Sequence, residues 1–90
     1  MPEIKQSDIV LSLAGHDSGK LYMVSAVEDD FVLLADGKVR RLCDPKRKSL
    51  KHAQFRSESP LADKFRRGAV TDKDIRRILA IYKSVKSLAK

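Results

Sequence analysis

The chain has 90 residues, 42% of them hydrophobic and 34% charged, which is typical of a globular protein with one small core. No apolar run exceeds five residues, whereas a membrane-spanning helix needs about 20, and a chain this short excludes most cofactor-binding enzyme folds. The polar amino-terminal residues and the single cysteine lead us to expect a cytoplasmic protein.

The positive charge is concentrated in one stretch of the chain. Nineteen Lys and Arg against twelve Asp and Glu give a net charge of +7, and residues 38–56 hold eight of the basic residues and one acid. Because the rest of the chain is balanced, this basic block is the pattern expected of a protein that follows a phosphate backbone. An acidic protein, an anionic lipid surface or a solvated face without a partner are the alternatives.

The first half of the chain predicts short strands. An apolar run over 9–13 precedes the turn-forming segment 14–19, and a second strand pattern runs over 20–27 until three acidic residues interrupt it. Asp36-Gly37 lies between the strand-like segments 31–35 and 38–42 and favours a type I′ hairpin turn.

A fifth strand is expected over 49–53, after Pro45. Five short strands with tight turns predict a small barrel over residues 1–55.

The second half predicts helices. A polar linker over 56–60 contains Ser59, a candidate N-cap, and Pro60, which favours the start of a helix. A short helix is expected over 61–67, and Gly68 favours its end. Thr71 is a candidate N-cap for a longer helix over 72–88. The apolar residues of this helix recur at three- and four-residue spacing and form a stripe: Ile75, Ile78, Leu79, Ile81, Tyr82, Val85 and Leu88. We therefore expect a helical extension over 61–90 that packs on the barrel.

No pattern in the chain points to catalysis. The segment 15–20 has three residues between its glycines and Leu21 in the place of a magnesium-binding hydroxyl, so it fails the pattern of a nucleotide-binding loop. The two histidines and the cysteine lack the spacing of metal ligands, and a turn explains the adjacent acids Asp29 and Asp30. We predict no enzyme activity, no cofactor and no metal.

Residues 9–24, IVLSLAGHDSGKLYMV, resemble the KOW motif. They have its hydrophobic strand, a glycine at Gly15, a polar loop, the Gly19-Lys20 pair and a second hydrophobic strand, although Tyr22 stands where many members carry a further glycine. The motif occurs in SH3-like barrels of large-subunit ribosomal proteins and transcription elongation factors. With the following segments 32–42 and 45–52, the resemblance covers roughly residues 6–53. This stretch is similar to small bacterial KOW-domain RNA-binding proteins that resemble a eukaryotic-type large-subunit ribosomal protein.

The resemblance implies a fold and a function. The fold is a five-stranded SH3-like (KOW) barrel followed by a short helix and a longer amphipathic helix. The function is binding of structured RNA, ribosomal RNA or the large ribosomal subunit. Because an apolar helix stripe more often covers a barrel than forms a dimer face, we also expect the free protein to be a monomer. The loop residues near the RNA would be Gly15, His16, Asp17, Ser18, Gly19 and Lys20. A barrel can also present the basic residues on one connected surface: Lys38, Arg40, Arg41, Lys46, Arg47, Lys48 and Lys51.

Two other functions compete with this hypothesis. An SH3- or Tudor-like interaction module would bind an acidic protein, with the apolar helix stripe docking on the partner. The small number of aromatic residues weakens this alternative, because peptide grooves and cation cages are built from Trp and Tyr. A transcription-coupled KOW factor is the other alternative.

Overall fold

The structure, a computed structural model, describes residues 3–88, with side chains through residue 85. This part of the chain is mainly β, with one antiparallel five-stranded sheet and two C-terminal helices. The elements in chain order are β1 (Ile9–Ser12), β2 (Leu21–Glu28), β3 (Phe31–Ala35), β4 (Lys46–Ser49), a 3-10 turn (Leu50–His52), β5 (Ala53–Ser57), α1 (Ala62–Arg66) and α2 (Asp72–Leu88).

The strand order in the sheet is β4-β3-β2-β1-β5. Strands β1 to β4 form an antiparallel meander, and β5 returns across the sheet to pair with β1. Within residues 3–88 no strand ladder joins β4 to β5, so the sheet is not closed. In β2, Ser25 is an extra residue between the pairs Val24↔Leu34 and Ala26↔Leu33, and such a bulge bends its strand.

Both faces of the sheet are buried over part of their area. Because side chains alternate along a strand, neighbouring residues of β1 belong to different clusters. One cluster lies beneath the helices and contains Ile9, Met23, Ala35, Leu61, Ile75 and Leu79. The other lies on the opposite face, here called the inner face, and contains Val10, Tyr22, Val24, Val32, Leu34 and Ala53. The core is thus divided between a helix-covered face and the inner face.

The predicted hairpin over 31–35 and 38–42 is wrong. Residues 36–45 form a loop, and β3 pairs with β4, where Leu34 lies opposite Lys46. The carboxylate of Asp36 accepts hydrogen bonds from the backbone N–H groups of Lys38 and Arg40, at 2.9 Å each. This local bonding replaces the strand ladder that a two-residue turn would need.

The predicted fifth strand over 49–53 is also wrong. The 3-10 turn occupies Leu50–His52, and β5 runs over Ala53–Ser57, two residues into the segment expected to be a linker. Pairing with β1 determines this position, because Ser12 lies opposite Ala53 and Ile9 opposite Ser57.

Both predicted helices are confirmed. The short one is α1, for which Leu61 rather than Ser59 is the N-cap, and Gly68 follows it with φ of +65°. At the start of α2, the Asp74 N–H donates to the Thr71 hydroxyl and the Thr71 N–H donates to the Asp74 carboxylate, both at 3.1 Å. This reciprocal pair is a capping box.

The apolar stripe of α2 is buried over its first two turns. Ile75 and Leu79 are buried, whereas Ile81 and Val85 are 53% and 59% exposed. The side chain of Leu88, also assigned to the stripe, lies outside the described side chains. Within residues 3–88, no helix is long and apolar enough to cross a membrane.

Candidate nucleic-acid interface

The loop that follows β1, residues 13–20, is held by its own backbone. The Gly19 N–H donates to the Ser12 carbonyl at 2.8 Å, and the Ser12 N–H donates to the Lys20 carbonyl at 2.9 Å. Gly15 and Gly19 have φ of +82° and +87°, a region that residues with a Cβ rarely adopt. His16, Ser18 and Lys20 are exposed, so the loop presents three polar side chains to solvent.

Asp17 differs from its neighbours because its side chain points inward. It is 5% exposed and accepts hydrogen bonds from Ser12 Oγ at 3.1 Å and from Lys48 Nζ at 3.0 Å. Lys46 Nζ lies 3.0 Å from the second carboxylate oxygen. Lys48 also donates to the carbonyl of Ala14 at 2.7 Å. Two lysines of β4 therefore fasten the loop to the inner face of the sheet.

The electrostatics of this cluster favour the charged carboxylate. Burial by itself would raise the pKa of Asp17, but hydrogen bonds from Lys48, Lys46 and Ser12 outweigh burial and hold that pKa well below its ordinary value. The same cluster affects Tyr22. Burial is the main cause that raises the pKa of its phenol, and the negative charge of Asp17 is the second. Asp17 is thus a buried anion whose charge is already matched by lysines of its own chain.

Strand alternation divides the basic run of β4 between two faces. Lys46 and Lys48 lie opposite Leu34 and Val32, so they point to the inner face. Arg47 points to the other face, where its guanidinium carbon lies 3.8 Å from the centroid of the Phe31 ring. The run Lys46-Arg47-Lys48 is therefore not a continuous exposed patch.

The loop over 36–45 is docked on the start of α2. Arg76 donates to the Gly37 carbonyl at 2.5 Å, and the Leu42 N–H donates to the Asp72 carboxylate at 2.8 Å. Gly37 is buried with φ of +80°, and a Cβ there would collide with the backbone carbonyl of Asp72. These contacts fix Lys38 in relation to the helix.

Four cationic side chains meet in an open groove of about 610 Å³ between the two loops and α2. Lys20 comes from the first loop, Lys38 from the second, and Arg76 and Lys83 from α2; Asp36 is the one acid in the lining. Gly19, Leu21, Leu79 and Ala80 complete the walls. None of the four cationic side chains has a side-chain ion pair within the described part of the chain. We call this groove the basic groove, and its four positive charges are not neutralised by ion pairs in the described part of the chain.

The structure brings together only part of the predicted RNA-binding set. Gly19, Lys20 and Lys38 line the basic groove, and Arg40 and Arg41 lie in the same loop as Lys38. Gly15, His16 and Ser18 belong to the first loop without lining the groove. Asp17 and Lys48 are buried, and Lys46 is partly buried in the same ion cluster. Lys51 lies beyond the other end of β3 from Lys38, and Arg47 pairs with Leu33 in the middle of β3.

Arg76 and Lys83 were missed as site residues. Both residues lie outside the apolar stripe of the last helix, and their seven-residue spacing places them on one helix face. The sequence does not show that this helix face lies next to the two loops.

No metal cluster of three His, Cys, Asp or Glu side chains occurs among the residues that the structure describes. No family model matches the chain, and no curated protein matches it.

Proposed function

We propose that the chain is a non-catalytic RNA-binding protein whose basic groove contacts structured RNA. The partner is ribosomal RNA or the large ribosomal subunit. The observation that carries this proposal is the convergence of Lys20, Lys38, Arg76 and Lys83 on one concave surface. Lys supplies a mobile point charge and Arg a planar donor pair, and both suit phosphate oxygens.

The strand arrangement supports an SH3-like barrel of the KOW type. A meander of four strands is followed by a 3-10 turn and a fifth strand that pairs with the first. In addition, Lys48 of the edge strand β4 reaches Ala14 and Asp17 at the other side of the sheet, which requires strong curvature. The two loops that would contact RNA both border the basic groove through Gly19, Lys20 and Lys38.

The lining of the groove favours recognition of an RNA backbone. It contains no Phe, Tyr or Trp, so it offers no stacking surface for the bases of a single strand. Folded RNA displays phosphates and 2′-hydroxyls at a defined spacing, and a fixed set of cations matches such a surface by shape. Docking of the loop on α2 fixes the backbone at Lys38 relative to Arg76, which favours this mode of recognition.

The proposal is tested by reversing charge inside and outside the groove. We expect Lys38→Glu with Lys83→Glu to weaken binding to a structured ribosomal RNA fragment by at least about tenfold, because two attractive contacts become repulsive. The matched control is Arg67→Glu with Arg77→Glu, which changes the net charge equally at exposed positions outside the groove lining. Equal losses in both double variants would mean that the net charge matters and the groove does not.

A protein-interaction module for an acidic partner is the second candidate. The apolar pair Ile81 and Val85 on α2 favours it, because both residues are more than half exposed in the described part of the chain. Nuclease treatment of a pulldown separates the two functions. A partner that survives RNA digestion supports the module, whereas loss of all partners supports RNA binding.

A further inference from the structure

An aromatic and cationic pair lies at the other end of β3 from the basic groove. Phe31 begins β3 and Asp36 follows its last residue, so the two ends are about 17 Å apart at the usual strand rise of roughly 3.3 Å per residue. Arg47 stacks on the Phe31 ring at 3.8 Å. The two residues are 16 positions apart in the sequence, and the β3–β4 pairing brings them together.

Phe31 also lines an open pocket of about 590 Å³. The other lining residues are Asp30, Ser49, Leu50 and Lys51. The lining residues thus carry an aromatic ring, a carboxylate, a hydroxyl and an ammonium group, while the Leu50 side chain packs against the inner-face cluster. A flat, partly polar ligand with a phosphate matches this set, because each feature has a counterpart in the wall.

The backbone holds this pocket in shape. The Leu50 N–H donates to the Asp30 carbonyl at 2.7 Å, which ties the 3-10 turn to the β2–β3 turn. Asp29 has φ of +51°, so the turn before Asp30 has a specific geometry. In the described part of the chain, the Asp30 carboxylate and the Lys51 ammonium have no side-chain hydrogen bond or ion pair. Both residues are exposed and line the pocket.

We propose that this pocket binds an unpaired guanine nucleotide of the RNA. The base packs on the Phe31 ring, the Asp30 carboxylate accepts hydrogen bonds from the base, and Lys51 pairs with a phosphate. Arg47 acts as a positioning residue that fixes the Phe31 ring from its other face. RNA as the source of the nucleotide rests on the proposed function, whereas recognition of the guanine nucleotide does not.

The carboxylate explains the choice of guanine. An ionised Asp is an acceptor with two oxygens and no donor. The Watson–Crick edge of guanine presents two adjacent donors, N1–H and N2–H, which pair with both oxygens. Adenine presents one donor beside the acceptor N1, and cytosine one donor beside N3, so each would place an acceptor against the carboxylate. A matched bidentate pair favours the right base by about tenfold or more.

The test is an NMR titration of the intact chain with millimolar guanosine 5′-monophosphate. The expected result is an upfield shift of the Phe31 ring protons and movement of the Leu50 and Lys51 amides. Adenosine 5′-monophosphate and inosine 5′-monophosphate, which lacks the N2 amine, are expected to bind about tenfold more weakly. Ribose 5-phosphate is expected to leave the chemical shifts of the Phe31 ring protons unchanged. Shifts confined to the basic groove, equal affinity for the nucleotides, or no shifts would each overturn the guanine site.

Two variants and one control distinguish loss of the site from loss of folding. We expect Asp30→Asn to remove the preference for guanosine over adenosine monophosphate, and Arg47→Ala to weaken both nucleotides, while Arg67→Ala leaves all affinities unchanged. An RNA hairpin with one unpaired guanosine, compared with the same hairpin carrying an abasic site, then identifies the source. A binding difference that Asp30→Asn abolishes supports RNA, and equal binding of the two hairpins overturns the RNA part of the proposal. Retained groove-dependent binding to a fully paired RNA would leave the proposed function intact in that case.

Discussion

Lys48 Nζ lies 3.0 Å from Asp17 Oδ1, and both side chains are more than nine-tenths buried. The contact joins β4 to the loop after β1 across 31 positions of sequence. The Asp17 carboxylate and the Ala14 carbonyl use two of the three ammonium donors of Lys48, and burial keeps the third from an external phosphate. Lys48 and Asp17 therefore support the shape of the interface from beneath.

Lys48→Met is expected to lower the free energy of unfolding by about 2 kcal/mol, because hydrogen bonds to the charged Asp17 are lost in a buried site. Arg47→Met is the matched control, since the next residue of β4 points to the other face. Its exposed stacking contact is worth only about 0.5–1 kcal/mol. Urea unfolding of both variants measures the difference, and similar losses would contradict the division of this basic run between two faces.

Stability should depend on Asp17 at acidic pH. Since the folded state holds the pKa of Asp17 below the unfolded value of about 3.9, its contribution is fully present above that value and is lost as the pH falls through the folded pKa. The stability advantage of the wild type over Asp17→Asn is therefore expected to shrink below about pH 4. Denaturation at pH 7 and pH 3 measures it. Asp29→Asn, in an exposed turn, serves as the control, and an advantage that does not shrink would argue against this ion cluster.

Gly37→Ala is expected to be more harmful than Gly19→Ala. Both glycines have positive φ, so both variants carry a backbone cost of about 1–2 kcal/mol. At Gly37 the new methyl also meets the Asp72 carbonyl, whereas at Gly19 it meets no atom within 4 Å. We expect an additional loss of about 1–3 kcal/mol at Gly37, measured by thermal or urea unfolding. Equal losses would mean that the second loop is not packed on α2 as described.

The salt dependence of binding to a fully paired RNA is expected to report the four groove cations. With four phosphates neutralised, log affinity against log salt concentration has a slope of about −3. Lys38→Glu with Lys83→Glu should reduce the steepness by about 1.5 or more. Filter binding at several salt concentrations measures both slopes. A wild-type slope near −5 would instead show that Lys46, Arg47 and Lys51 contact phosphates as well.

Local chemistry was enough to predict the helices. The Thr71 and Asp74 pair forms within four residues of sequence, and Gly68 ends α1 through its own backbone conformation. Their stabilising contacts are short-range, so the residues that make them are adjacent in the sequence. The predicted bounds of α2 agree with the structure for the same reason.

The hairpin prediction failed because a distant element competes for the loop. Asp36-Gly37 has the composition of a two-residue turn, but Gly37 is packed on Asp72 and bonded by Arg76. Those contacts span more than 30 positions, and a turn propensity contains no information about them.

From the sequence alone, the types of element, the ends of the helices and the size of the positive charge could be determined, because each depends on residues close together in the chain. Which cations share a surface was decided by the tertiary structure. Alternation along β4 turns Lys46 and Lys48 inward and Arg47 outward, and the docking of α2 places Arg76 and Lys83 beside Lys20 and Lys38. The direction of a side chain follows from the register and curvature of the sheet, which long-range packing sets.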